Sequence, residues 1–145
     1  MDDIENAEMF NSSLLKRLYI NLFIKREIQV LRKRLNKEES PRLLDVGCGT
    51  GWTTLQYKLA GFKVIGLEPS QVRASYARQN YSLEIVSEYA EHVNFDERFD
   101  AVMLRHIIEH FEDPEAMIRK VGKFLKDDGF LFVIVPNINC LGRYL

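Results

Sequence analysis

Hydrophobic and polar positions change their period several times along this chain. Leu14, Leu18, Leu22, Ile28, Leu31 and Leu35 recur near helical spacing, which predicts a helix capped by Ser12 or Ser13 and running to about Asn36. Lys37 to Pro41 is the break. Arg42 to Val46 then reads as a short strand, apolar on both faces as a buried parallel strand has to be. Thr50 to Ala60 is a helix stopped by Gly61, and KVIGL (63–67) is a second strand. Pro69 and Ser70 make a turn with a ready cap, Gln71 to Asn80 a helix, and Leu83 to Val86 a third strand. Glu88 to Arg98 is polar and irregular, with Val93 and Phe95 as anchors. Phe99 to Leu104 is a fourth strand. Asp113 caps a helix with Pro114 at its first position, where the missing N–H costs nothing. Its apolar face is expected to hold Met117, Ile118, Val121, Phe124 and Leu125, with Asp127, Asp128 and Gly129 as the turn out. Phe130 to Val135 is the fifth strand, stopped by Pro136.

The order β-α-β-α-β, followed by a further strand, helix and strand, is that of an α/β domain. Right-handed crossovers make its sheet mainly parallel, with helices packed against it. Two segments are expected: residues 1–37, an acidic tail and a basic amphipathic helix, and residues 38–145, the sheet-forming core.

Composition narrows the class. A chain of 145 residues, 46% hydrophobic and 28% charged, has the length and balance of one ordinary globular domain. A net charge of −1 gives neither nucleic acid nor an anionic membrane a global attraction. Cys48 and Cys140 are too few and too oddly placed for a disulfide framework, so a reducing, cytoplasmic setting fits. The longest apolar run, Phe130 to Val135, is far short of a membrane span, and no signal-peptide pattern precedes the first helix. Charge is nevertheless segregated. Residues 13 to 37 carry eight Lys or Arg against Glu27 alone, while Asp2, Asp3, Glu5 and Glu8 precede them without a base. Such a helix either turns a solvated basic back to water or docks on a membrane surface or an acidic partner.

The chemistry centres on LLDVGCGTG, Leu43 to Gly51. Glycines at 47, 49 and 51 follow a strand and precede a helix, a layout that offers free backbone N–H groups and the positive end of a helix dipole to a ligand. A phosphate-binding P-loop needs GK[ST] after its spacer, and Trp52 follows Gly51 instead. A dinucleotide fingerprint needs GxGxxG, and Trp52 stands where its last glycine belongs, which weakens nicotinamide-dependent oxidoreduction.

The stretch Leu43 to Gly51, VIGLEPS from Val64 to Ser70, FDAVMLRHIIEHFEDPEAM and LKDDGFLFVIVPN together resemble the successive motifs of class I S-adenosylmethionine-dependent methyltransferases. The similarity covers roughly residues 40 to 140. It is nearest the small-molecule group typified by ubiquinone-biosynthesis O-methyltransferases and by methyltransferases encoded with polysaccharide genes. The resemblance implies a Rossmann-like three-layer sandwich with strand order 3-2-1-4-5, S-adenosylmethionine as cofactor, S-adenosylhomocysteine as product, and a small-molecule methyl acceptor. It implies that Asp45 and the turn of Gly47, Cys48, Gly49 and Gly51 hold the methionine end, that Glu68 accepts from the ribose hydroxyls, and that Pro69 lies along the adenine. Glu88 best matches the acid that reads the adenine amino group, although SEYAEH departs from the family's Gly-Asp pattern. Arg105 joins the cofactor set. His110 and His106 face the acceptor, either able to take a proton near neutral pH.

The same residues, His106-Ile-Ile-Glu109-His110, also spell the HxxEH pattern of a zinc hydrolase. That pattern needs both histidines on one helix face and a distant third ligand; no metal is expected. A non-catalytic binding or assembly module with this fold is the reading from another class. The resembling family adds strands six and seven beyond the fifth. This chain is expected to lack them, which would leave the fifth strand as a bare apolar edge. A second subunit, a helix or the C-terminal tail is expected to cover it, a homodimer among these.

Overall fold

The computed structural model describes residues 14–35 and 39–136, with side chains from residue 21 onward. The chain divides into two compact units, Met1–Asn36 and Lys37–Leu145. The first contains helix α1 (Leu14–Arg34), whose last turn holds Arg32, Lys33 and Arg34. Positive charge there meets the negative end of the helix dipole. The expected cap at Ser12 or Ser13 and the end at Asn36 lie outside the described residues.

The second unit runs β1 (Arg42–Val46), α2 (Trp52–Leu59), β2 (Lys63–Leu67), α3 (Gln71–Tyr81), β3 (Glu84–Val86), β4 (Phe99–Arg105), a short 3-10 turn (Ile108–His110), α4 (Pro114–Gly122) and β5 (Leu125–Ile134). The five strands form one sheet in the order β3-β2-β1-β4-β5, and every neighbouring pair is parallel. This is the α/β architecture and strand order that the sequence motifs imply. β1 is central, paired with β2 through Asp45 opposite Gly66 and with β4 through Asp45 opposite Met103.

Both faces of the sheet are covered, which is why β1 and β4 are almost wholly buried. On one face Leu44, Val46, Leu67, Val102 and Leu104 meet Met117 and Val121 of α4 together with Ala90 and Val93. The irregular stretch before β4 is pinned as expected: Val93 is buried, and the Phe95 ring stands edge-on to Phe99 and Phe124, 5.2 Å between centroids in each case. On the other face Ala74 and Ala77 of α3 join Leu83 and Ile85. Asp113 caps α4 by accepting the Ala116 N–H at 2.9 Å, and Ser70 caps α3 by accepting that of Arg73 at 3.5 Å.

Several boundaries differ from expectation by a residue or more, and two of the differences have a clear cause. α2 begins at Trp52 rather than Thr50, because Gly51 is in the left-handed region at φ 82°. α4 ends at Gly122, so Phe124 and Leu125 do not extend its apolar face, and Ile118 is exposed. Glycine is a poor helix former, and the Phe124 carbonyl accepts the Phe99 N–H at 2.8 Å instead. Leu125 opens β5 opposite Phe99, and the next pairs run from Ala101 with Phe130 to Arg105 with Ile134. Asp127, Asp128 and Gly129 therefore do not form the turn out of the helix: Lys123 and Phe124 make it, and the three lie within β5, where the register with β4 shifts. β5 is an outer strand of the described sheet, with Val133 exposed. Among the described residues no helix is long and apolar enough to cross a membrane.

At the N-terminal end of the sheet, Asp100 is only 6% exposed. Its carboxylate accepts the Arg42 N–H at 2.8 Å and the Lys126 ammonium at 2.7 Å, so one acid ties β1, β4 and β5 together. Replacing it by alanine leaves a half-buried N–H and an ammonium without their acceptor. Asp100→Ala is expected to lower unfolding stability by about 1–3 kcal/mol, measured by urea denaturation, with Asp100→Asn losing less because an amide oxygen still serves Arg42.

Candidate functional site

The site lies at the C-terminal ends of β1, β2 and β4, where the chain must leave the sheet. Leaving β1, the glycine turn folds back across β2: the N–H groups of Gly47 and Cys48 donate to the Leu67 carbonyl at 2.7 and 3.1 Å, and that of Gly51 to the Cys48 carbonyl at 3.0 Å. Glu68 completes the clasp. Its Oε2 accepts the Gly49 N–H and its Oε1 the Ser70 N–H, both at 3.0 Å. The Arg73 guanidinium stands 3.8 Å from Oε1, and Glu68 as a residue is 4% exposed. The expectation that the turn offers free N–H groups is therefore corrected at Gly47, Cys48, Gly49 and Gly51. A turn this tight folds against β2 only by satisfying its own donors. The first turn of α2 also points its N–H groups along the helix axis.

The three glycines do different work. All have positive φ, but a Cβ on Gly47 would come 2.8 Å from Ile107, and one on Gly51 would come 2.7 and 2.8 Å from Leu83 and Ala77. Those two positions are filled by the fold. A Cβ on Gly49 would have nothing within 4 Å, so backbone lies bare to whatever sits above it. Gly66 of β2 serves packing from beneath, since a Cβ there would meet Ile85 at 2.5 Å and the Cys48 sulfur at 2.7 Å.

Asp45 is buried at 3% exposure, and its carboxylate accepts the Thr54 hydroxyl at 2.6 Å, fastening α2 to β1. Cys48 sits between this acid and Glu68. Burial pushes its thiol well up from the ordinary range, and the charges of Asp45 and Glu68 push it further, so it remains a neutral, unreactive group.

A cavity of about 220 Å³ opens beside the turn, lined by Val46, Gly47, Leu67, Pro69, Ile107 and Phe111, with Glu88, Tyr89, Ala90, Glu91 and His110. The fold thus gathers Gly47, Pro69, Glu88 and His110 onto one wall set. Asp45, Cys48 and Glu68 are not among the lining residues, nor are Gly49 and Gly51 of the turn itself. Arg105 ends β4 opposite Ile134 and is not among the lining residues. His106, exposed and in the left-handed region at φ 50°, gives its N–H to the Ile134 carbonyl at 2.8 Å and also lies off the cavity wall. His110 lines both the cavity and a neighbouring hollow of about 530 Å³ formed with Glu112, Asp113, Ala116, Met117 and Lys120. His106 precedes the 3-10 turn that holds Glu109 and His110, so HIIEH does not set its histidines on one α-helical face. Among the described residues no three His, Cys, Asp or Glu are placed to hold a metal ion.

Sequence reasoning missed Thr54, Tyr89, Ile107 and Phe111. An i+9 threonine behind a buried acid leaves no local trace, and the other three are apolar or aromatic residues whose lining role comes only from the loops meeting in space.

The residues also fit an adenosyl ligand with an amino-acid arm. The cavity is below the roughly 300 Å³ where pockets for whole drug-sized ligands begin, which suits one ring system with the remainder lying over the open backbone at Gly49. The Glu68 oxygens each have capacity beyond their N–H partner, since a carboxylate offers about four acceptor sites.

A family model described as "Methyltransferase domain" matches residues 17–144. A demethylmenaquinone methyltransferase of Chlorobaculum tepidum is 34% identical over 110 residues, 74% of this chain and 46% of that protein. A ubiquinone biosynthesis O-methyltransferase of Rhodopseudomonas palustris (strain TIE-1) is 30% identical over 112 residues, 74% of this chain and 44% of that protein. The chain thus spans under half the length of these curated relatives. Among solved structures, the plantazolicin methyltransferase BpumL, crystallised with a pentazolic desmethylPZN analog and S-adenosylhomocysteine (SAH), superposes with a TM-score of 0.71 at 18% identity, covering 94% of this chain and 52% of BpumL. That likeness is one of fold. The chain belongs to the methyltransferase domain family and has the Rossmann-like fold of class I S-adenosylmethionine-dependent methyltransferases.

Proposed function

We propose that the protein binds S-adenosylmethionine in the cavity beside the glycine turn and transfers its methyl group to a small-molecule acceptor. The observation that carries this reading is the bare backbone at Gly49, held against the ends of β1 and β2 by Glu68 and opening beside a cavity. Bound there, the cofactor supplies an electrophilic methyl group on its sulfonium. Asp45 and the turn hold the methionine arm, an ammonium wanting a nearby carboxylate and a carboxylate wanting the first turn of α2. Glu68 accepts from the ribose hydroxyls. Pro69, Ile107 and Phe111 give the adenine apolar walls, and Glu88 receives its amino group.

Methyl transfer is an in-line displacement, so the chain's main task is alignment and exclusion of water. His110 takes the acceptor's proton in this reading, which its position on the wall shared by cavity and hollow supports. The names of the curated relatives make a hydroxylated quinone precursor the first acceptor to assay. A cytoplasmic setting accords with the free, half-buried Cys48. We also infer that β5 is covered, a second copy being one such cover.

Titration calorimetry with SAH is expected to show one site, and absence of heat at millimolar ligand would remove the proposal. Gly49→Ala should fold with a loss of only about 1–2 kcal/mol, the cost of a left-handed alanine, while SAH affinity drops tenfold or more. Gly51→Ala, which collides with Leu83 and Ala77, should fail chiefly in stability. His110→Ala should keep SAH affinity and lose about 100-fold or more in turnover; unchanged turnover would make His110 a wall residue only. A monodisperse monomer exchanging its amides rapidly along all of β5 would count against the cover.

A further inference from the structure

α1 carries a surface that methyl transfer does not use. At 3.6 residues per turn, Leu22, Phe23, Arg26, Val30 and Lys33 fall within about a third of the helix circumference. Leu22, Phe23 and Val30 are 64%, 47% and 50% exposed, and Arg26 and Lys33 are exposed between them. Ile24, Leu31 and Leu35 take the other side of the helix. Glu27 is the only acid from residue 13 to 37. A solvated helix back has no use for three large apolar side chains among its cations. Exposed apolar residues standing singly need no explanation, but three interleaved with cations on one face do.

We propose that this face of α1 docks on an anionic lipid surface. The bases meet the headgroup charge, and Leu22, Phe23 and Val30 enter the boundary with the acyl chains. Charge complementarity alone would suit nucleic acid or an acidic polypeptide equally. The apolar residues favour lipid: a phosphate backbone offers them nothing, and a chain of acidic side chains offers no continuous apolar layer for three of them to enter. The helix lies flat, since it is not apolar enough to cross. This does not rest on the proposed methyl transfer.

The test is vesicle flotation of the whole 145-residue chain. It should bind vesicles of phosphatidylcholine with a third phosphatidylglycerol, and should show at least tenfold less binding to phosphatidylcholine alone or in 0.5 M salt, where charge attraction is screened. Arg26→Glu with Lys33→Glu should abolish binding, and Leu22→Ser with Phe23→Ser and Val30→Ser should weaken it tenfold or more at low salt. Circular dichroism and SAH calorimetry of each variant separate loss of the surface from loss of the fold. No binding to anionic vesicles, binding indifferent to both sets of substitutions, or retention on polyglutamate or polyuridylate without vesicle binding would each overturn the proposal.

Discussion

The Glu68 carboxylate reaches two backbone N–H groups from opposite sides, Gly49 in the turn after β1 and Ser70 at the cap of α3. Through it the end of β2 holds the exit of β1, and the start of α3 is fixed by the same group. An acid buried to this degree is tolerable only because both oxygens are served and Arg73 stands close. The arrangement makes the turn a rigid shelf rather than a loop. Gly66 lets Cys48 tuck beneath it, Thr54 and Asp45 hold α2 behind it, and Gly49 is left as bare backbone on top.

This changes how the glycine motif is understood. Four of the N–H groups in the turn are spent inside the protein, so the motif contributes shape more than donors. Space is kept clear over Gly49, while the polar contacts are left to side chains at strand ends and to the first turn of α2. A sheet whose strands all run parallel brings those ends together at one edge. That is how residues separated by some sixty positions, Val46 and His110 among them, line one cavity of about 220 Å³.

Much of this was legible in the sequence. Strands apolar on both faces and helices closed by Gly61 and opened by Asp113-Pro114 point to a parallel α/β sheet, while the strand order and the place of Glu68 in the site came from the resemblance of the motifs to a known family. Other features depended on contacts distant in sequence. The end of α4 could not be read because apolar spacing continued past Gly122 to Phe124 and Leu125, whose partners are Phe95 and Phe99 on other elements. The occupied donors of the turn were invisible because the Leu67 carbonyl becomes their acceptor only once β1 and β2 pair. Arg105 and His106 look equivalent to His110 along the chain, yet the backbone sends His106 into the left-handed region and ties it to β5, away from the cavity wall.

The central claim is that the edge shaped by Glu68 and Gly49 receives the adenosyl cofactor. Amide chemical-shift mapping of the isotope-labelled chain with SAH tests it at the level of single residues. The account predicts saturable shifts concentrated at Gly49, Ser70, Tyr89 and His110, with Lys63 and Arg98 at the opposite end of the sheet unmoved. Saturable shifts confined to that opposite end, or none at millimolar ligand, would contradict it.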